Sequence, residues 1–262
     1  MTEYTYQLSD AELARYRAMA AHALAREETL WTAAGIVPGA RVVDLGCGPG
    51  AFLADLAERA GSPGRVTGVD DAEEAVRAAG ALIRQLDLGG RVDVVRVRIE
   101  DTGLAAGSFD VAFMRNVLVH NGPLLNVILQ HITALLRPGG HLLSVEPDVT
   151  GLLIPDTAPE EQDLEQRWVT MMRKRGNDPA LGRQLAAVLA KAGFGVDAAQ
   201  DRVDELAVDR SPAWTARHAL LADQLATEDD IRRWESAISH RLSTTGKLTV
   251  QLPVYCVVAA RP

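Results

Sequence analysis

The chain has 262 residues, 47% of them hydrophobic and 24% charged, enough apolar material for the core of one large α/β domain, or of one domain with a small lid. Its net charge of −8 at pH 7 excludes a broad nucleic-acid surface, which needs clustered Lys and Arg. Two cysteines give no disulfide framework, and with no leader pattern and no apolar run near ~18 residues a cytoplasmic protein without a membrane partner is expected.

Ser9 and Glu12 predict a helix start. Leu13, Tyr16, Ala20 and Leu24 continue at helical spacing until Gly35 and Pro38 stop the helix. Val42 to Leu45 is an apolar run that breaks into Gly46, Gly48 and Gly50, then resumes as a helix through Ala60. That pattern is a buried parallel strand, a tight turn and a helix N-terminus. Glycines suit such a turn because a bound ligand needs backbone with no Cβ in the way. The helix start also presents unpaired N–H groups to an anion.

A second strand from Arg65 closes on Asp70, an acid placed to accept ribose hydroxyls of an adenosine cofactor. Asp71, with Glu74, predicts the cap of the next helix, 72–86. Val92 to Ile99 alternates as a third strand, and Phe109 to Met114 forms a fourth. Arg115 and His120 lie in the loop beyond it, at the mouth where ligands bind in open parallel sheets. A helix over 123–136 ends at Arg137-Pro138-Gly139-Gly140, a turn into the fifth strand, His141 to Val145. Glu146 and Asp148 follow.

Residues 150–178 break the alternation with prolines and acids before Trp168, Met171 and Met172, and predict a helical lid. Asp178-Pro179 caps a helix bearing Leu181, Leu185 and Leu189. A sixth strand follows from Phe194 to Val208. Ser211-Pro212 opens a helix carrying Trp214 and Arg217, Thr227 caps another, and Leu248 to Ala260 is a last strand. The expected organisation is an N-terminal helical cap (1–40), a cofactor-binding core (41–149), the lid (150–178), and a C-terminal part of the core with further lid helices (179–262).

Four features, taken together, resemble class I S-adenosylmethionine (SAM) dependent methyltransferases of the ubiquinone- and menaquinone-biosynthesis type. They are Asp44-Leu45-Gly46-Cys47-Gly48-Pro49-Gly50, the acid Asp70, Ser108-Phe109-Asp110, and the Arg137-Pro138-Gly139-Gly140 turn. The resemblance spans Arg41 to Glu146. It implies a Rossmann-like α/β fold with a seven-stranded sheet, an antiparallel last strand, helices on both faces and a lid. The implied reaction is methyl transfer from SAM to an oxygen, nitrogen or carbon nucleophile of a small molecule.

The cofactor contacts implied are Asp44, Gly46, Cys47, Gly48, Asp70, Asp71, Ile99, Glu100 and Arg115. The family's usual adenine-contacting Asp falls on Arg98, which offers no acceptor, so Ile99 backbone and Glu100 are expected in its place. His120 is the candidate general base. Tyr6, Tyr16, Arg17, Glu146, Trp168, Met172, Trp214 and Arg217 are the candidate substrate contacts. Glu27 is a further residue of the N-terminal helix that can face the site. The six histidines are scattered, so no metal is expected. A monomer or homodimer fits equally. Two rivals stand beside this reading. One is a protein of the same fold that binds SAM or S-adenosylhomocysteine without transferring methyl. The other is a nicotinamide oxidoreductase, whose glycine fingerprint Gly46, Gly48 and Ala51 also satisfy.

Overall fold

The structure, a computed structural model, describes residues 10–262, with side chains from residue 13. Tyr6 and the Ser9 cap therefore lie outside the described residues, as does the Glu12 side chain. Helix α1 (Asp10–Ala33) leads into β1 (Arg41–Leu45), α2 (Leu53–Ala60), β2 (Arg65–Asp70), α3 (Glu73–Gln85), β3 (Val92–Arg96) and β4 (Phe109–Arg115). Then come α4 (Leu125–Leu135), β5 (Leu136–Pro147), α5 (Pro159–Lys174), α6 (Leu181–Lys191) and β6 (Gly195–Val208). The short helices α7 (Pro212–Thr215) and α8 (Arg217–Ala222), then α9 (Glu228–Thr245) and β7 (Leu248–Ala260), complete the chain.

The sheet order is β3-β2-β1-β4-β5-β7-β6. β1 to β5 run parallel, and β7 inserts antiparallel between β5 and β6, with Val145 opposite Cys256 and Val203 opposite Pro253. This departs from the 3-2-1-4-5-6 order of the nicotinamide fold. It bears out the α/β sheet with an antiparallel last strand. The strand period of two divides the core. Val43, Leu45 and Met114 pack with α4, α5 and α6 on one face. Val42, Phe113 and Val145 pack with α1, α2 and α3 on the other.

Several local expectations change. The third strand stops at Arg96, because Asp101 N donates to Arg98 O at 3.2 Å and turns the chain back. Asp71 does not cap α3. The cap position falls on Ala72, whose N–H donates to Asp70 Oδ1 at 2.9 Å. The single helix expected after Ser211 is two short ones, α7 and α8, which meet at Ala216. Thr227 does cap α9, reciprocally with Asp230. Among the described residues, no helix is long and apolar enough to cross a membrane.

Candidate active site

A cavity of about 1250 Å³ opens over the carboxyl ends of the strands. Its floor is the β1 loop. Gly46 takes φ +81°, and a Cβ there would lie 2.5 Å from Val117 Cγ2. Any side chain would therefore displace the loop after β4. Gly48 takes φ +54°, with open space where a Cβ would be, so the backbone itself is the wall offered to a ligand. Cys47 does not present a nucleophile. Its Sγ lies 3.7 Å from Gly48 O and packs toward Gly68 on β2. Burial, with the nearby Asp44 and Asp70 charges, pushes its thiol well above the ordinary range.

Asp70 stands at the end of β2. Its Oδ2 accepts from Gly48 N at 2.9 Å and its Oδ1 from Ala72 N at 2.9 Å. The carboxylate thus ties the glycine loop to the start of α3, and each oxygen keeps a second lone pair for a ligand hydroxyl. Burial outweighs these two N–H donors and raises its pKa. Asp44, in the cavity wall at the end of β1, is buried with Asp70 close by. Burial first, and then the Asp70 charge, push it up to about 8. A ligand cation would relieve that cost.

Asp71, Ile99 and Glu100 line the same half of the cavity. Glu100 is held by Arg98, whose guanidinium pairs with its carboxylate across the turn. Arg115 reaches the wall, but its Nη1 donates to Glu27 Oε1 at 2.6 Å and its plane lies over Phe52. Glu27 also accepts from Arg202 Nη2 at 2.5 Å. It therefore docks α1 onto β4 and β6 rather than facing the site.

Beyond that half, His120, Trp168, Met172 and Tyr16 line the cavity, as the sequence predicts. His120 follows β4 in a one-turn 3-10 helix, Leu118–His120. Burial lowers its pKa to about 4, so the imidazole is neutral at pH 7 and only a weak proton acceptor. Four expected substrate residues lie elsewhere. Glu146 is fully buried beneath the β4 loop, its carboxylate accepting from Val117 N, Leu118 N and Val119 N at 2.9–3.1 Å. It shapes the loop that carries His120, and burial pushes its pKa up to about 7 against those donors. Trp214 belongs to the core, with Arg217 stacked 4.7 Å over its ring and donating to its carbonyl. Arg17 is exposed on α1, away from the wall.

The sequence reading missed Arg175 and Asn177 after α5, and the β6–β7 wall of Leu206, Val208, Val250 and Leu252. Only the strand order brings β6 and β7 to this mouth. One local signal existed for the β4 loop: Asn116, a residue tolerant of left-handed backbone, has φ +56°.

A ligand combining a cation with vicinal hydroxyls matches Asp44 and Asp70, and the open backbone at Gly48 fits its close approach. SAM is such a ligand. The methyltransferase domain family matches residues 36–201. The nocamycin O-methyltransferase of Saccharothrix syringae is 41% identical over 110 residues, 40% of this chain and 37% of that protein. The ubiquinone biosynthesis O-methyltransferase of Bordetella avium is 32% identical over 148 residues, 51% of this chain and 59% of that protein. The chain thus spans about half the length of these curated relatives. A SAM-dependent methyltransferase from Aquifex aeolicus superposes with TM-score 0.56 at 17% identity, over 95% of this chain and 98% of that one, and shares its fold. The chain belongs to the methyltransferase domain family, in its class I SAM-dependent branch.

Proposed function

We propose that this protein binds SAM across the β1–β2 loops and transfers its methyl group to a small molecule held between His120 and the α5 wall. The observation that carries the reading is the pairing of Asp44, buried with no cationic partner among the described residues, with Asp70, braced by Gly48 N and Ala72 N. In this reading Asp44 takes the ammonium of the methionine part. Asp70 takes the ribose hydroxyls, and Gly46, Cys47 and Gly48 supply backbone along the chain of the cofactor. Ile99 and Glu100 face the adenine, with Asp71 at the rim. Arg115 holds the wall through Glu27.

When bound, SAM supplies a methyl already activated by a positive sulfur. The protein's work is then alignment. Glu146 fixes the loop, the loop fixes His120, and the neutral imidazole orients the acceptor by a hydrogen bond. Its lowered pKa makes His120 an orienting group more than a base. Oxygen acceptors fit this best, and the names of the two curated relatives agree with that preference.

The test is incubation with SAM bearing an isotopically labelled methyl and a small-molecule extract, followed by mass spectrometry. Labelled small molecules formed by wild type, and formed about 10- to 100-fold more slowly by Asp70→Ala at limiting SAM, are expected. Cofactor binding without any labelled product across extracts would favour the rival in which the fold binds SAM without methyl transfer.

A further inference from the structure

The cavity's charge is divided by strand order. Over β1, β2 and β3 its described wall carries five acids: Asp44, Asp70, Asp71, Glu73 and Glu100. Two of these are paired with Arg96 and Arg98, which leaves the cofactor half negative, as a cationic donor requires. The other half, built by α1, the turn after α5, and the ends of β6 and β7, carries Arg15, Arg175 and Arg210, with Asp209 as its one acid among the described lining residues; Arg175 is paired with Asp223 behind the wall, and Arg210 lies beside Asp209. The rest of that half is mainly apolar, chiefly Trp168, Met171, Met172, Leu124, Val250 and Leu252, with Asn121, Asn177 and Thr215 as uncharged polar groups.

Resting on the methyltransferase reading, we propose that the acceptor is an apolar molecule bearing an acidic group, a carboxylic acid or an acidic enol or phenol, bound as its anion between the arginines and the Trp168–Met172 wall. Arg175 is the best-placed specificity residue. Asp223, which does not line the cavity, grips it bidentately through Nε at 2.7 Å and Nη2 at 3.0 Å, and so fixes the plane of the guanidinium at the wall. Arg210 is more exposed and lies 4.0 Å from Asp209. A cationic amine would meet this half with like charge, which is the repulsive element specificity needs.

The chemistry agrees. An acceptor oxygen that arrives ionised uses its own lone pair to form the bond to the methyl carbon. The carbon–sulfur bonding pair returns to sulfur, which becomes a neutral thioether, and no proton has to leave. That matches a site whose one histidine among the described lining residues is poorly basic.

The test uses the full chain loaded with S-adenosylhomocysteine and three probes of one shape titrated by calorimetry: 2-naphthoate, its neutral methyl ester, and 2-naphthylmethylamine as the cation. Naphthoate is expected to bind about tenfold or more tighter than the ester, with the ammonium weakest. In Arg175→Gln that ratio is expected to fall toward one while S-adenosylhomocysteine still binds, which also shows that the variant is folded. Equal binding of acid and ester, tighter binding of the ammonium, failure of naphthoate to bind, or an unchanged ratio in Arg175→Gln would each overturn the proposal and leave the cofactor reading standing. Loss of S-adenosylhomocysteine binding by wild type would overturn the methyltransferase reading itself.

Discussion

Asp44 is a buried acid whose charge the described wall does not offset. Burial and the neighbouring Asp70 hold its pKa near about 8, so at neutral pH the cofactor-free carboxyl is mostly protonated. An ammonium arriving beside it would drive the proton off. SAM binding at pH 7 is therefore predicted to release a proton, seen as a dependence of calorimetric heat on the buffer's ionisation enthalpy. Asp44→Asn should abolish that dependence and weaken binding, and a wild-type heat independent of buffer would remove Asp44 from the ammonium site. His120 gives a second prediction at this scale. Burial moves its titration from an ordinary value of 6.5 to about 4, so a pH–rate profile should show no acidic limb near pH 6.5. His120→Gln, which retains hydrogen bonding, should keep most of the turnover. A loss of about 10²-fold or more in that variant would instead make His120 the base.

Among the elements, α1 is held by a buried ionic cluster rather than by its apolar stripe alone. Glu27 is fully buried on α1 and accepts from both Arg115 and Arg202, while Asp204 takes Arg202 Nε at 2.7 Å and lies 3.3 Å from His22 Nε2. Glu27→Ala leaves two guanidiniums short of their counter-ion, a change that typically costs about 3–5 kcal/mol. Hydrogen exchange should report it as faster exchange in α1 with the central strands still protected; uniform protection across α1 would make the cluster incidental.

This cluster also shows where reading the sequence stops. Strands β1 to β5, the glycine loop and Asp70 are legible because period, glycine spacing and strand-end chemistry are local. Glu27 and Arg202 stand 175 residues apart and meet only because β7 carries β6 to its place in the sheet. Glu146 was misread for a related reason. A carboxylate at a strand's end reads as pocket chemistry, yet here three backbone N–H groups of the preceding loop turn down onto it. Trp214 and Arg217 read as pocket residues by type alone, and residue type does not tell a wall from a core.

On the scale of the whole molecule, stability and cofactor binding pull against each other through the same groups. The folded pKa of Asp44 lies above its ordinary 3.8, so its contribution to stability is fully present below that value and is lost as pH rises toward 8. Glu146 acts with the same sign between 4.5 and about 7. His120 acts oppositely. Its folded pKa lies below 6.5, so its contribution is intact above that value and is lost as pH falls toward about 4. The cofactor-free Tm is therefore predicted to decline on the alkaline side of a mildly acidic maximum. Asp44→Asn should flatten that decline, and saturating SAM should offset it by mass action. A wild-type Tm that rises from about pH 5 to pH 8 without cofactor would contradict the burial of these acids.

If Asp70 organises a SAM site at the β1–β2 mouth, calorimetry should show one-to-one SAM binding by wild type, with affinity lower by about 1.5–3 kcal/mol, roughly 10- to 100-fold, in Asp70→Ala. Equal affinity in the two folded proteins, or no SAM binding by wild type, would contradict it.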